Sequence, residues 1–196
     1  MGWLFMQRLD GHKGPKEYLD AQFTYQNDQS QLRVLRSTLV NRRVYYAAAE
    51  RILTADTKRS VFAIVCLVKW APRARDGYIF GYKDLDETVG PCERDCPAGI
   101  LDLLTPTEYP YAVKWREDCR ANLAVRAIQA KKPKPSLGQN LILAEPMCFT
   151  DGQKLSRFRV TTLPRRRGFV YQSLENGGFY RMPKLATVDY RLEAPG

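Results

Sequence analysis

Residues 61–70 read VFAIVCLVKW, and this stretch decides the fold. Eight apolar residues run without a break from Val61 to Val68. That is strand length, far short of the roughly 18–20 apolar residues that span a bilayer. A strand apolar at successive positions has no side left for water, so it reads as a central strand buried on both faces. Its neighbours follow outward. Leu32 to Val40 and Val44 to Ile52 carry β-branched and aromatic residues, with Asn41, Arg42 and Arg43 as the turn between them. Downstream, Asp76-Gly77 is a hairpin signal before a short strand, Tyr78 to Tyr82. These four strands form an antiparallel meander.

Helices flank the meander. Pro15 to Tyr25 starts with proline at its first position and gathers Tyr18, Leu19 and Phe23 on one face. Asp95 is placed to cap a helix from Ala98 to Leu104, with Pro97 at its start. After Pro106, Thr107 and Glu108 open the longest helix. Tyr111, Trp115, Cys119, Leu123 and Ile128 recur at close to helical spacing and make its apolar face.

KKPKPSLG, residues 131–138, is a stiff and solvated linker. It separates an N-terminal domain (1–130) from a C-terminal one (139–196). Short β-like runs follow at 140–145, 157–162, 169–172, 178–182 and 188–192, with turns at Asp151-Gly152, Pro164 to Gly168 and Asn176 to Gly178. The fold class is therefore α+β. An N-terminal antiparallel β-meander packs with helices, and a small SH3-like or OB-like β-barrel follows.

Composition narrows the chemistry. The chain of 196 residues carries a net charge of +10. Residues 128–196 hold twelve Lys and Arg against five Asp and Glu, so the excess is concentrated at the C-terminal end. Such a charge favours polyanionic partners, because each phosphate contact releases counterions. The five cysteines are scattered and odd in number, which argues for reduced thiols rather than a disulfide framework. Met1 to Met6 is apolar but lacks a basic leader and a small-residue cleavage site, so it does not read as a signal peptide. A cytoplasmic protein without membrane segments is expected.

The single histidine, His12, lies in a Gly/Lys-rich stretch and reads as solvated; a zinc held by several histidines is excluded by count, and any site with a His base would have to use this one. Cys92 and Cys96 are spaced C-x3-C, a poor zinc pattern. No metal and no cofactor are expected. Asp84, Asp86 and Glu87 form an acidic cluster with the residue types that hold Mg²⁺ in phosphodiester chemistry. Cys96, just before a helix, is a candidate for a lowered thiol pKa, although no base stands nearby in sequence. The alternative for the whole loop is an ordinary solvated surface.

Cations and aromatics interleave at the C-terminal end. Arg157 and Arg159 alternate around Phe158 on one strand, so the arginines point one way and the ring the other. Arg165, Arg166 and Arg167 fill a turn before Phe169. Phe179, Tyr180 and Arg181 sit on the next strand, with Lys184 beyond, and Lys131, Lys132 and Lys134 lie in the linker. These residues are the candidate nucleic-acid contacts, with Phe169 and Tyr180 as stacking platforms.

VYYAAAE (44–50), VFAIVCLVKW (61–70) and FGYKDLDETVGPCERDCPAGILDLLTPTEYPYAVKWREDC (80–119) together resemble an uncharacterised family carried by bacterial plasmids, integrative elements and phages. The likeness spans about residues 30–120 and carries no catalytic residue over. It implies a mobile-element setting, in which small proteins blunt host restriction or CRISPR defence. The leading expectation is a non-enzymatic protein that binds nucleic acid or a nucleic-acid-handling host complex, and an anti-defence factor is one version of it. The alternatives are a metal-dependent nuclease or thiol enzyme using the 84–96 loop, and a protein–protein module contacting through that loop. The oligomeric state is open.

Overall fold

A computed structural model of the chain describes residues 5–55, 58–71, 79–164, 168–183 and 185–194. The chain divides into two compact units, residues 1–124 and 125–196.

The N-terminal unit is a six-stranded antiparallel sheet with helices. Its strands are β1 (Phe5–Gln7), β2 (Tyr25–Gln26), β3 (Ser30–Val40), β4 (Val44–Leu53), β5 (Arg59–Trp70) and β6 (Phe80–Asp86). Their order across the sheet is β1-β6-β5-β4-β3-β2. The meander β3-β4-β5-β6 is the one expected from sequence. The short edge strands β1 and β2 are additions, because two or three residues carry no readable period. The expected Asp76-Gly77 turn lies outside the described residues.

Alternation along β4 and β5 builds two cores. Tyr45, Ala47, Ala49, Ile64, Cys66 and Val68 face one side, where α1 (Pro15–Gln22) lays Leu19 against them. Tyr46, Ala48, Ala63 and Val65 face the other, against Cys96, Ile100, Leu101, Trp115 and Cys119. The continuous apolar run at 61–68 is thus buried on both faces, as its composition requires. Asp20 of α1 ties helix to sheet by accepting from Ser37 Oγ at 2.5 Å and Tyr45 Oη at 2.8 Å.

The helices on the second face are α2 (Ala98–Leu101) and α3 (Pro110–Lys131). The helix α2 is one turn long, not two, and its N-cap is Pro97 with no side-chain cap; Asp95 does not take that role. The buried residues of α3 are Ala112, Trp115, Arg116 and Cys119. Tyr111 and Ile128, expected on the apolar face, are 69% and 63% exposed. The buried stripe is narrower than the spacing implied: its fully buried positions end at Cys119, and Leu123 packs against the same core partly buried.

The C-terminal unit is a curled antiparallel sheet of β7 (Asn140–Cys148), β8 (Lys154–Thr161), β9 (Val170–Ser173), β10 (Phe179–Tyr180) and β11 (Tyr190–Glu193). The order is β10-β9-β8-β7-β11. Among the described residues no ladder joins β10 to β11. The inner face carries Leu141, Leu143, Leu155, Phe158, Val160, Tyr171, Met182 and Leu185. No helix among the described residues is long and apolar enough to cross a membrane.

Candidate nucleic-acid interface

The interface begins with alternation on β8. From Arg157 on, Arg157 and Arg159 are exposed while Phe158 and Val160 are buried; Leu155, also buried, lies across the register shift in the β7–β8 ladder. Ladder register then fixes which residues share their face, since directly paired residues point the same way. Arg159 pairs with Gln172 of β9 and with Asn140 of β7. Gln172 pairs with Phe179 of β10, and Asn140 with Glu193 of β11. One row therefore reads Phe179, Gln172, Arg159, Asn140, Glu193 across five strands. A second row reads Arg157, Ile142, Arg191.

The face is open. Arg157, Arg159 and Arg191 are exposed, and the Phe179 ring is 52% exposed. Arg159 Nε donates to Asn140 Oδ1 at 3.5 Å, a long contact that leaves most of the guanidinium free. Arg191 pairs with Glu193 at 3.2 Å, so it is the most neutralised of the three. The turn after β9 is latched onto β8 by Glu175, whose Oε1 accepts from Ser156 N, Ser156 Oγ and Arg157 N. These bonds hold the Glu175 carboxyl below its usual range.

Several expected contacts are placed elsewhere. Tyr180 is one position from Phe179 and so points inward. Its ring lies 4.4 Å from that of Phe149 and 6.1 Å from that of Phe158. Its hydroxyl donates to Asp151 Oδ2 at 3.0 Å and accepts from Asn176 Nδ2 at 2.8 Å. Tyr180 is partly buried and packs against the core, while Phe179 beside it is the ring on the open face. Lys132 is also engaged, with Nζ donating to Val188 O at 3.1 Å and to Asp189 Oδ1 at 2.8 Å. Lys131, Lys134 and Arg181 are exposed but lie outside the strand ladder, as does Phe169, 45% exposed. Arg165, Arg166, Arg167 and Lys184 lie outside the described residues.

The acidic loop does not assemble into one site. Asp84 and Asp86 are two apart on β6 and border the same groove, with Phe23, Tyr25 and Phe62. Glu87 leaves the strand and turns the other way. It is buried, and both its oxygens accept from Arg116 of α3, at 2.6 and 2.5 Å. Arg116 Nη1 also donates to Thr105 O at 2.6 Å. Asp86 caps the 3-10 turn Glu87–Val89 by accepting from the Thr88 amide and hydroxyl. Among the described residues no three Asp, Glu, Cys or His side chains are grouped to hold a metal ion.

Cys96 is fully buried, and burial pushes its thiol up rather than down. Desolvation is the largest cause, with Cys119 and the Glu87 carboxylate adding to it, and a one-turn helix does not offset them. The expectation of an activated thiol is thereby reversed. His12 packs edge-on against Tyr18, with ring centroids 5.6 Å apart.

A family model described as a domain of unknown function (DUF6927) matches residues 106–185. It covers less than half of the chain, running from the approach to α3 through β10. It overlaps the likeness over residues 30–120 only at 106–120, and its description names no plasmid, element or phage. No curated protein matches the chain, and no solved structure does.

Proposed function

We propose that the C-terminal sheet binds nucleic acid through its outward face. The observation that supports this is the register that sets Arg157, Arg159 and Arg191 on one exposed surface. Arginine is suited to phosphate because its guanidinium is planar, permanently charged and able to donate in pairs. The amides of Gln172 and Asn140 add uncharged donors and acceptors beside Arg159. Phosphate contacts dominate such affinity and make it salt-dependent.

The SH3-like or OB-like barrel belongs to the same proposal. A small sheet with one packed face and one open, basic face is the kind of platform on which such modules hold nucleic acid. So does the wider setting, a mobile-element protein that binds a host nucleoprotein complex to blunt its defence; it rests on the resemblance over residues 30–120. The nuclease reading loses support because Glu87 is committed to Arg116. The thiol reading loses support because Cys96 is buried.

The test is fluorescence anisotropy of labelled oligonucleotides across a salt series. Binding at low salt is expected, with log affinity falling linearly in log salt. Changing Arg157 and Arg159 to Ala together lowers both the affinity and the salt slope, by about one to two phosphate contacts. Absence of any binding at low salt removes the proposal.

A further inference from the structure

The row Phe179, Gln172, Arg159, Asn140 says more than that the face is basic. Phe179 is an aromatic ring half exposed on a sheet surface that carries Gln172, Arg159 and Asn140 in its own row and Arg157, Ile142 and Arg191 in the next. Its neighbour Tyr180 packs partly buried against the core, on the opposite side of the strand from Phe179. Phe179→Gln172 and Gln172→Arg159 are steps between adjacent strands, each about 4.8 Å. A ring, an amide, a guanidinium and a second amide thus follow one another in a line roughly 15 Å long.

A duplex cannot use such a line fully. Its bases are stacked on one another and present only their edges, so an exposed ring on a gently curved sheet finds no base face. A single strand can turn a base onto the ring, offer that base's edge to the adjacent amide, and lay its phosphates against the arginines. We infer that the ligand of this face is single-stranded nucleic acid, with a base stacked on Phe179, its edge met by Gln172, and phosphates held by Arg159 and Arg157. This rests on the nucleic-acid reading above and narrows it to one class.

Asn140 continues the line toward β11, where Glu193 ends it. The carboxylate there repels phosphate, so the track stops at Asn140 and turns toward Arg157 in the next row. No residue in the row is placed to demand a 2′-hydroxyl, so DNA and RNA single strands are both accepted.

Anisotropy with fluorescein-labelled 15-mers of mixed sequence tests this, using single-stranded DNA, single-stranded RNA and blunt duplex DNA at one salt concentration. Single strands are expected to bind at least about tenfold tighter than duplex. Phe179→Leu keeps the apolar bulk but loses the flat ring, and is expected to weaken single-strand binding about five- to tenfold while leaving duplex binding unchanged. Phe179→Trp restores or exceeds the wild-type affinity. Unchanged thermal unfolding of both variants confirms that the sheet is intact, as expected for a ring that lies on the surface. If duplex binds as tightly as single strands, or Phe179→Leu binds as wild type does, this inference fails while the broader nucleic-acid reading survives. If no oligonucleotide binds even at low salt, both fail.

Discussion

Arg116 grips Glu87 with two parallel hydrogen bonds, Nε to Oε2 at 2.6 Å and Nη2 to Oε1 at 2.5 Å, with both side chains buried. The pair joins α3 to the turn that leaves β6. A third bond from Arg116 Nη1 reaches Thr105 O, and Thr105 in turn bonds Val61 of β5 through backbone and side chain. The head of α3 is therefore held to the sheet by a chain of fully satisfied polar groups. Removing one member leaves a buried charge with no partner, which costs far more than the pair itself contributes.

Glu87→Ala and Arg116→Ala are each expected to destabilise the protein by about 3–5 kcal/mol. The double change Glu87→Leu with Arg116→Met removes both charges and is expected to cost less than either single one. Urea unfolding followed by tryptophan fluorescence reads this directly, since Trp115 lies in the same core. A double variant less stable than both singles would contradict the account.

Thiol reactivity separates the cysteines. Cys92 and Cys148 are exposed, whereas Cys66, Cys96 and Cys119 are buried. Two thiols are expected to react promptly with Ellman's reagent at pH 8, and three more only after denaturation. Burial also pushes the Cys119 thiol up from the usual 9.0 to about 11. Below pH 9 the thiol is protonated in folded and unfolded chains alike, and stability is unaffected by it. Between about 9 and 11 the unfolded chain ionises first, so stability falls as pH rises. Cys119→Ala is expected to flatten that part of the pH–stability curve, and an unchanged slope would argue against it.

Gly99 and Arg36 meet closely. A Cβ at position 99 would lie 2.6 Å from Arg36 Nη1, the far end of a flexible side chain. Gly99→Ala is therefore expected to change stability by less than about 1 kcal/mol, because the guanidinium swings aside. In an Arg36→Ala background the same change is expected to stabilise by about 0.5–1 kcal/mol, since alanine loses less entropy in a helix. Thermal unfolding of the four proteins checks the cycle.

Lys132 tests the specificity of the proposed face. Its ammonium is already bonded to Val188 O and Asp189. Lys132→Ala is expected to leave oligonucleotide affinity within about twofold, whereas Arg159→Ala lowers it by about one phosphate contact. Equal losses from both would mean that charge alone, and not the sheet face, governs binding.

The readable parts of the chain were those governed by neighbours in sequence. The apolar run at 61–68 announces its two buried faces by composition, because no residue in it tolerates water. Proline at position 15 and Leu19 one turn later mark α1 in the same local way. The alternation Arg157-Phe158-Arg159 fixes which side each residue takes relative to the next, whatever else the chain does. Cations set two apart on one regular stretch of strand therefore share a face.

Tertiary structure decided what depends on distant partners. Whether Phe179 or Tyr180 faces the core is set by packing, since Tyr180 lies against Phe149 and Phe158 from well upstream in the chain. Glu87 and Arg116 are 29 residues apart, and only packing of α3 against the sheet turns a loop acid and a helical base into one buried unit. Cys96 is buried for the same reason. Its environment is made by Tyr46, Trp115 and Cys119, which reach it from elsewhere in the chain. Local sequence sets the direction of each side chain relative to its neighbours. Burial and pairing are properties of contacts, and those exist only once the chain has folded.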